Sequence, residues 1–223
     1  TVNKTRLNFI LEQIIDLYNE GRNIIVLSER RLGLEKLKEY LEFDERFTGT
    51  AGLILGQKSN PDKPGKLIKM KDDEIEESKR CDVILGTYLA CGEGMDIPSL
   101  NTLIFMSPMN KIKQAEGRIH RVIHTEGLRP LIVDIVDQLG SFVSGGSKRR
   151  TFYRSNGYDI DTYKVESGVI GRKTKSEKNS EKKSGTKVKI RKLSEVNKGK
   201  ETKETKKVKK EGLCLIQDDS DSD

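Results

Sequence analysis

The sequence predicts an α/β domain with a largely parallel sheet, followed by a charged tail. Short continuous apolar runs alternate with amphipathic segments of helical length. Those runs lack in–out alternation, as expected of strands covered on both faces. The charge is also unevenly placed. Of 42 Lys/Arg and 35 Asp/Glu, residues 171–223 hold 17 and 10, so residues 1–170 are balanced and the formal +7 belongs to the end of the chain. No aromatic residue follows Tyr163, and only nine of the last 53 residues are hydrophobic, too few to offset the entropy of ordering them. The expected organisation is one domain at 1–170, a basic disordered tail at 171–210 and an acidic tail at 211–223.

Residues 3–20 read as an amphipathic helix, with Leu7, Ile10, Leu11, Ile14, Ile15 and Tyr18 on one face and Gly21 as its stop. Asn23–Ser28 is a strand. Leu34, Leu37 and Leu41 mark a helix over 32–42, and Ala51–Leu55 a second strand. Gly56–Lys66 is turn chemistry, with two prolines, two glycines, Asn and Asp. A charged helix over 73–80 leads into a strand at 82–85, followed by a strand at 102–106, a helix around 110–122 and a strand at 131–136. Lys148–Asn156 forms a last helix mixing Arg149 and Arg150 with Phe152 and Tyr153, and order is expected to end near Gly171.

Other classes are disfavoured. No apolar run approaches the ~18–20 residues of a membrane span. The N-terminus has no apolar core of a secretory signal, and a start at Thr1 without Met points to a fragment. Cys81, Cys91 and Cys214 are odd in number and widely spaced, which favours reduced thiols in an intracellular protein over disulfides or zinc.

Two segments stand out from ordinary connections. GTYLACGEGMDIP, Gly86–Pro98, starts at the carboxyl end of a strand, where parallel sheets place their ligands. Its Gly86, Gly92 and Gly94 permit close backbone approach. Thr87 offers a hydroxyl to a phosphate, and Asp96 an acceptor for a ribose hydroxyl. For any one of these residues taken alone, a glycine-rich turn with Asp96 capping a helix is the better reading. QAEGRIHR, Gln114–Arg121, sets Gln114, Arg118 and Arg121 on one helical face with Gly117 between them. Two guanidiniums and an amide converging there suit a triphosphate, although pairing with Glu116 or Glu126 on a solvated helix is an equal reading of that segment alone.

In this order, within 87–121, the two segments resemble motifs V and VI of superfamily 2 helicases of the DEAD/DEAH-like kind, with IIVLSERRLGLEKL in the place of motif IV. The resemblance is greatest to helicases of large DNA viruses of eukaryotes, including the poxvirus transcript-release group. These share the EGxDIP loop, a strand leading into Ser-Pro, the GRIxR helix, and a downstream DIVD followed by RRxFY, here Asp134–Asp137 and Arg149–Tyr153.

That resemblance implies a RecA-like three-layer domain, the second of two that clamp ATP while nucleic acid crosses both. Carried over, Arg121 is the arginine finger on the γ-phosphate, with Arg118 beside it and Gln114 near the phosphates or the attacking water. Gly94, Asp96 and Gly117 belong to the nucleotide side, and Thr87 and Gly86 contact the DNA or RNA backbone. His120 stands where many relatives have glycine. His120 and His124 are four apart but have no third ligand nearby, so no metal is assigned to them. The implied cofactors are ATP and Mg²⁺, held mainly by a first RecA-like domain in cis or in trans. No GxxxxGK[ST] loop and no acidic strand-end motif occurs in these 223 residues, so the chain alone is not expected to hydrolyse ATP. The alternative is a non-catalytic nucleic-acid-binding or regulatory module that kept the fold. A dinucleotide-binding domain fits poorly, since no GxGxxG follows a strand.

Residues 171–210 hold 17 Lys/Arg against five Asp/Glu, a composition that binds phosphate backbone by counterion release or serves only solubility. KKVKK at 206–210 matches a nuclear import signal, and together with the viral resemblance this implies the nucleus or a cytoplasmic site of viral replication as the expected location.

Overall fold

The structure, a computed structural model, describes residues 4–92, 97–108, 128–166, 169–177 and 187–193. Helix α1 (Lys4–Asn19) leads through Gly21, in the left-handed region at φ 77°, into β1 (Ile24–Ser28). There follow α2 (Arg31–Phe43), β2 (Ala51–Ile54), a hairpin of β3 (Gln57–Ser59) and β4 (Leu67–Lys69), and α3 (Asp72–Ser78). After β5 (Val83–Thr87) come β6 (Thr102–Phe105), β7 (Leu131–Asp137), α4 (Gly140–Ser155), β8 (Asp159–Glu166), β9 (Val169–Glu177) and β10 (Lys187–Leu193).

Among the described residues, eight strands form one sheet in the order β2-β5-β1-β6-β7-β10-β8-β9. Neighbours are parallel from β2 to β8, and β9 closes the far edge antiparallel to β8. The apolar runs split between two cores, as buried parallel strands require. Ile24, Val26, Val83, Leu85 and Ile104 face α1 and α2, while Ile25, Leu27, Ile84, Leu103 and Phe105 face the side that holds Tyr153 of α4. The result is the expected three-layer RecA-like α/β architecture.

The sheet continues past residue 170: β9 starts at Val169, and β10 inserts between β7 and β8. Counting charge over 53 residues concealed the period-two pattern of Lys187–Leu193, whose Val188 and Ile190 are buried in the second core. On the opposite face Arg191 is buried, donating from Nε to Gln13 Oε1 at 3.2 Å and lying 4.0 Å over the Tyr163 ring. Phe9, Gln13 and Leu17 of α1 are buried as well, beyond the expected stripe, and Gln13 meets Arg191 of β10. The expected helix around 110–122 and the acidic tail 211–223 lie outside the described residues.

Arg46 ties α1 to the end of α2. Its guanidinium donates to Asp44 at 2.9 and 2.7 Å and to Glu12 at 2.9 and 2.7 Å, and its backbone N–H donates to Asp44 Oδ1. Hydrogen bonds from the Arg46 side chain, then from its N–H, hold the Asp44 carboxyl down at about 2. A depressed carboxyl contributes stability above its ordinary pKa of about 3.9 and loses it as pH falls toward the folded value. A carboxyl-detected NMR titration is expected to show the Asp44 midpoint near 2, and Arg46→Ala to return it toward the ordinary range.

Candidate nucleotide and nucleic-acid site

Because β2, β5, β1, β6 and β7 are all parallel, their carboxyl ends share one edge of the sheet. The registers Ile54↔Gly86, Ser28↔Thr87, Leu27↔Phe105 and Phe105↔Asp134 set these ends side by side. In open α/β sheets this edge binds ligands.

Thr87 ends β5 and starts a tight turn. Its hydroxyl oxygen accepts the Ala90 N–H at 3.3 Å and its carbonyl accepts the Cys91 N–H at 2.9 Å, while Tyr88 N–H reaches back to Ser28 C=O at 3.2 Å. The turn holds Leu89 in solvent, 91% exposed. Gly86 is buried, and its need for glycine is one of packing. A Cβ there would lie 2.1 Å from Cys91 Sγ, which rests on the strand in its place. Gly86→Ala is expected to cost about 1–3 kcal/mol by overpacking, read from a urea unfolding curve. Adding Cys91→Ala, which removes the sulfur, is expected to recover most of that loss.

One residue after Met106, Ser107 joins three strand ends. Its hydroxyl accepts the Glu29 N–H at 2.8 Å, and its carbonyl accepts the Tyr88 hydroxyl. Burial pushes the Tyr88 phenol well above its ordinary value, so it stays protonated as a donor. Arg6 of α1 donates to Met106 C=O and pairs with Asp137 at the end of β7. For both members of that pair burial outweighs attraction: Arg6 is lowered and Asp137 raised. The pair orients the edge and contributes little net stability.

Beneath the edge sits a buried cluster. Asp134 of β7 accepts two bonds of 2.9 Å from Arg149 Nε and Nη2 of α4, and the Tyr153 hydroxyl donates to it at 3.1 Å. Burial pushes the Arg149 guanidinium down, and the hydrogen bonds and charge of Asp134 more than reverse this. Burial first and the carboxylate second push the Tyr153 phenol well up. The DIVD and RRxFY segments are thus two halves of one polar cluster, joined by the packing of α4 on β7.

Of the candidate residues, the structure places Gly86 and Thr87. Gln114, Gly117, Arg118, Arg121, Gly94 and Asp96 lie outside the described residues, as do His120 and His124. Sequence reasoning missed the Tyr88–Ser107 bond, because its partners are 19 residues apart and neither belongs to a charged pattern. Asp134 had a signal, a lone carboxylate within an apolar strand run. Cys81 and Cys91 are not joined in a disulfide. Among the described residues no group of three or more His, Cys, Asp or Glu could hold a metal ion, so these residues do not fit a resident Mg²⁺. Among them, too, no helix is long and apolar enough to cross a membrane.

Comparison with known proteins agrees with this architecture. A protein of Acanthamoeba polyphaga mimivirus named as an ATP-dependent RNA helicase is 33% identical over 164 residues, covering 73% of this chain and 29% of its own length. A protein of Escherichia phage T5 named as a probable helicase is 28% identical over 165 residues, covering 71% of this chain and 34% of its own length. A helicase of Invertebrate iridescent virus 6 is 28% identical over 87 residues, 39% of this chain and 19% of its own length. The chain therefore spans between about a fifth and about a third of these relatives' length. The family described as Helicase conserved C-terminal domain matches residues 6–124, which contain most of α1, the strands β1–β6 and both motif segments, and the chain belongs to that family.

Proposed function

We propose that this chain is the C-terminal motor domain of an ATP-dependent superfamily 2 nucleic-acid helicase or translocase. The observation that carries the reading is the carboxyl edge. There the Thr87 turn after β5 and the Ser107 junction after β6 flank β1 and are bonded to each other through Tyr88. One element is the expected nucleic-acid contact, and the other leads within seven residues to Gln114 and the arginine helix.

In this reading each residue has one task. Thr87 spends its oxygen on the Ala90 N–H and keeps its own O–H to donate to a backbone phosphate. Arg121 stabilises charge on the transferring phosphoryl group, Arg118 lies beside it, and Gln114 orients the phosphates or water. Gly94, Asp96 and Gly117 couple the nucleotide to the Thr87 turn. The P-loop and the Mg²⁺ carboxylates come from a first RecA-like domain, in cis or in trans, since neither pattern occurs in these residues. When bound there, Mg²⁺ would neutralise phosphate charge. The work is placed inside the cell, in the nucleus or at a cytoplasmic site of viral replication.

The test is ATP turnover with and without single-stranded DNA or RNA, for the chain alone and for the chain together with a P-loop RecA-like domain. Turnover only in the combined protein, rising with nucleic acid, is expected. A combined protein that binds ATP yet never responds to nucleic acid would sink the motor reading. A second reading, a non-catalytic nucleic-acid-binding module, has the missing P-loop and the basic run at 171–210 in its favour. It predicts binding through that run alone, with a steep salt slope.

A further inference from the structure

The excursion between β2 and α3, expected to be a turn, is a built hairpin. Its neck is closed in the core, where Leu55 and Met70 are buried together and the Leu55 N–H reaches Met70 Sδ at 3.2 Å. Its first strand is pinned to α2: Ser59 N–H and hydroxyl both donate to Glu35 at 2.9 Å, and Arg31 Nη1 donates to Ser59 Oγ at 2.9 Å. Lys58 is spent in an ion pair with Glu74 at 2.6 Å. The tip is hydrogen-bonded rather than slack. Asn60 N–H donates to Lys66 C=O at 3.0 Å, Lys66 N–H to Lys63 C=O at 3.1 Å, and Asn60 Oδ1 accepts the Asp62 N–H at 2.9 Å. Two prolines and Gly65, at φ 81°, stiffen it further.

Position and charge give this device a purpose. The hairpin leaves the sheet just after Ile54, which lies beside Gly86, so it projects from the same carboxyl edge as the Thr87 turn. Every residue from Pro61 to Lys69 is exposed, among them Lys63, Lys66 and Lys69 against one carboxylate, Asp62. On β4 Leu67 and Ile68 are 42% and 36% exposed, although they alternate across the strand. Both faces of β4 are therefore open to solvent. A protein gains nothing for its own core from ordering such an element, whereas a preorganised row of cations lowers the entropic cost of binding a polyanion.

We infer that hairpin 57–69 is a second nucleic-acid contact, in which Lys63, Lys66 and Lys69 hold the phosphate backbone of a strand running outward from Thr87 past the edge strand β2. Leu67 and Ile68 then lie against the sugars and base faces of that strand. This rests on reading the carboxyl edge as the nucleic-acid side.

The experiment uses the full chain and a fluorescent single-stranded oligonucleotide. Binding is titrated at several salt concentrations for the wild type, for Lys63→Gln/Lys66→Gln/Lys69→Gln, and for a charge-matched control, Lys4→Gln/Lys148→Gln/Lys164→Gln. Losing three phosphate contacts is expected to reduce the slope of log K against log salt by about 2 and to weaken binding about tenfold near 0.1 M salt. The control should retain the wild-type slope. Hydrogen exchange of the wild type should show peptides 57–69 and 83–92 both protected by the oligonucleotide. An unchanged slope in the hairpin variant, or an equal loss in the control, overturns the inference. Protection of 83–92 without 57–69 overturns the hairpin contact and leaves the edge reading standing. Protection of neither, with binding confined to the basic run, removes both.

Discussion

Arg121→Ala, in a protein that also contains the P-loop domain, is expected to lower nucleic-acid-stimulated ATP turnover by about 10³–10⁵-fold, the range for loss of an arginine finger. In the proposed reading, the guanidinium supplies charge where negative charge spreads over the transferring phosphoryl oxygens. Such a group acts mainly on the transition state, so kcat falls while KM for ATP changes little. Arg121→Lys is expected to rescue little, because an ammonium cannot reproduce the planar, two-pronged donation of guanidinium. Nucleic-acid affinity measured without ATP should be unchanged. Steady-state kinetics with a coupled ATPase assay checks all three. Turnover of Arg121→Ala within a few-fold of wild type would remove the finger role and leave the family assignment intact.

Arg149→Met is expected to destabilise the fold by about 3–5 kcal/mol, the cost of leaving a buried carboxylate without its partner. Asp134 is fully buried and Arg149 is 2% exposed, so water cannot replace the two lost bonds. The double variant Asp134→Leu/Arg149→Met is expected to recover most of the loss, since an apolar pair of similar volume needs no desolvation. Tyr153→Phe removes one hydrogen bond to the same carboxylate and should cost about 1 kcal/mol. Urea unfolding midpoints order the variants. If the double variant were as unstable as Arg149→Met, the loss would lie in packing of the Arg149 stem and not in charge.

Where sequence reading stopped short, the reason was local pattern overridden by distant packing. The apolar stripe of α1 and the runs of β1, β5, β6 and β7 were legible because burial on two faces leaves no room for polar residues. Helix α4 begins at Gly140, eight residues before the expected start at Lys148; the segment GSFVSGGS has poor helix propensity, which hid those two turns from a local reading. Its glycine serves contact: a Cβ at Gly146 would lie 2.6 Å from Val136, so glycine lets α4 approach β7. Strands β9 and β10 were hidden by their lysines, whose neighbours Val188 and Ile190 are buried only because β7 and β8 leave a gap between them.

The candidate site divides the same way. Gly86 and Thr87 could be named from residue type and from their place at a strand end, and the arginine helix from its spacing. Neither pattern told of the Tyr88–Ser107 bond, the Asp134–Arg149–Tyr153 cluster, or the Cys91 sulfur that requires a glycine at position 86.

The chain's residues alone determined the α/β class, the orders α1-β1-α2-β2 and α3-β5-β6-β7 on either side of the hairpin, and the two motif segments, since each is written in contiguous periodicity or spacing. Only the tertiary structure decided that a lysine-rich stretch completes the sheet, that a proline- and glycine-rich turn is a rigid projecting hairpin, and that a carboxylate in β7 meets an arginine fifteen residues later. Those features depend on which surfaces remain uncovered once the parallel sheet has formed, and no local window of sequence contains that information.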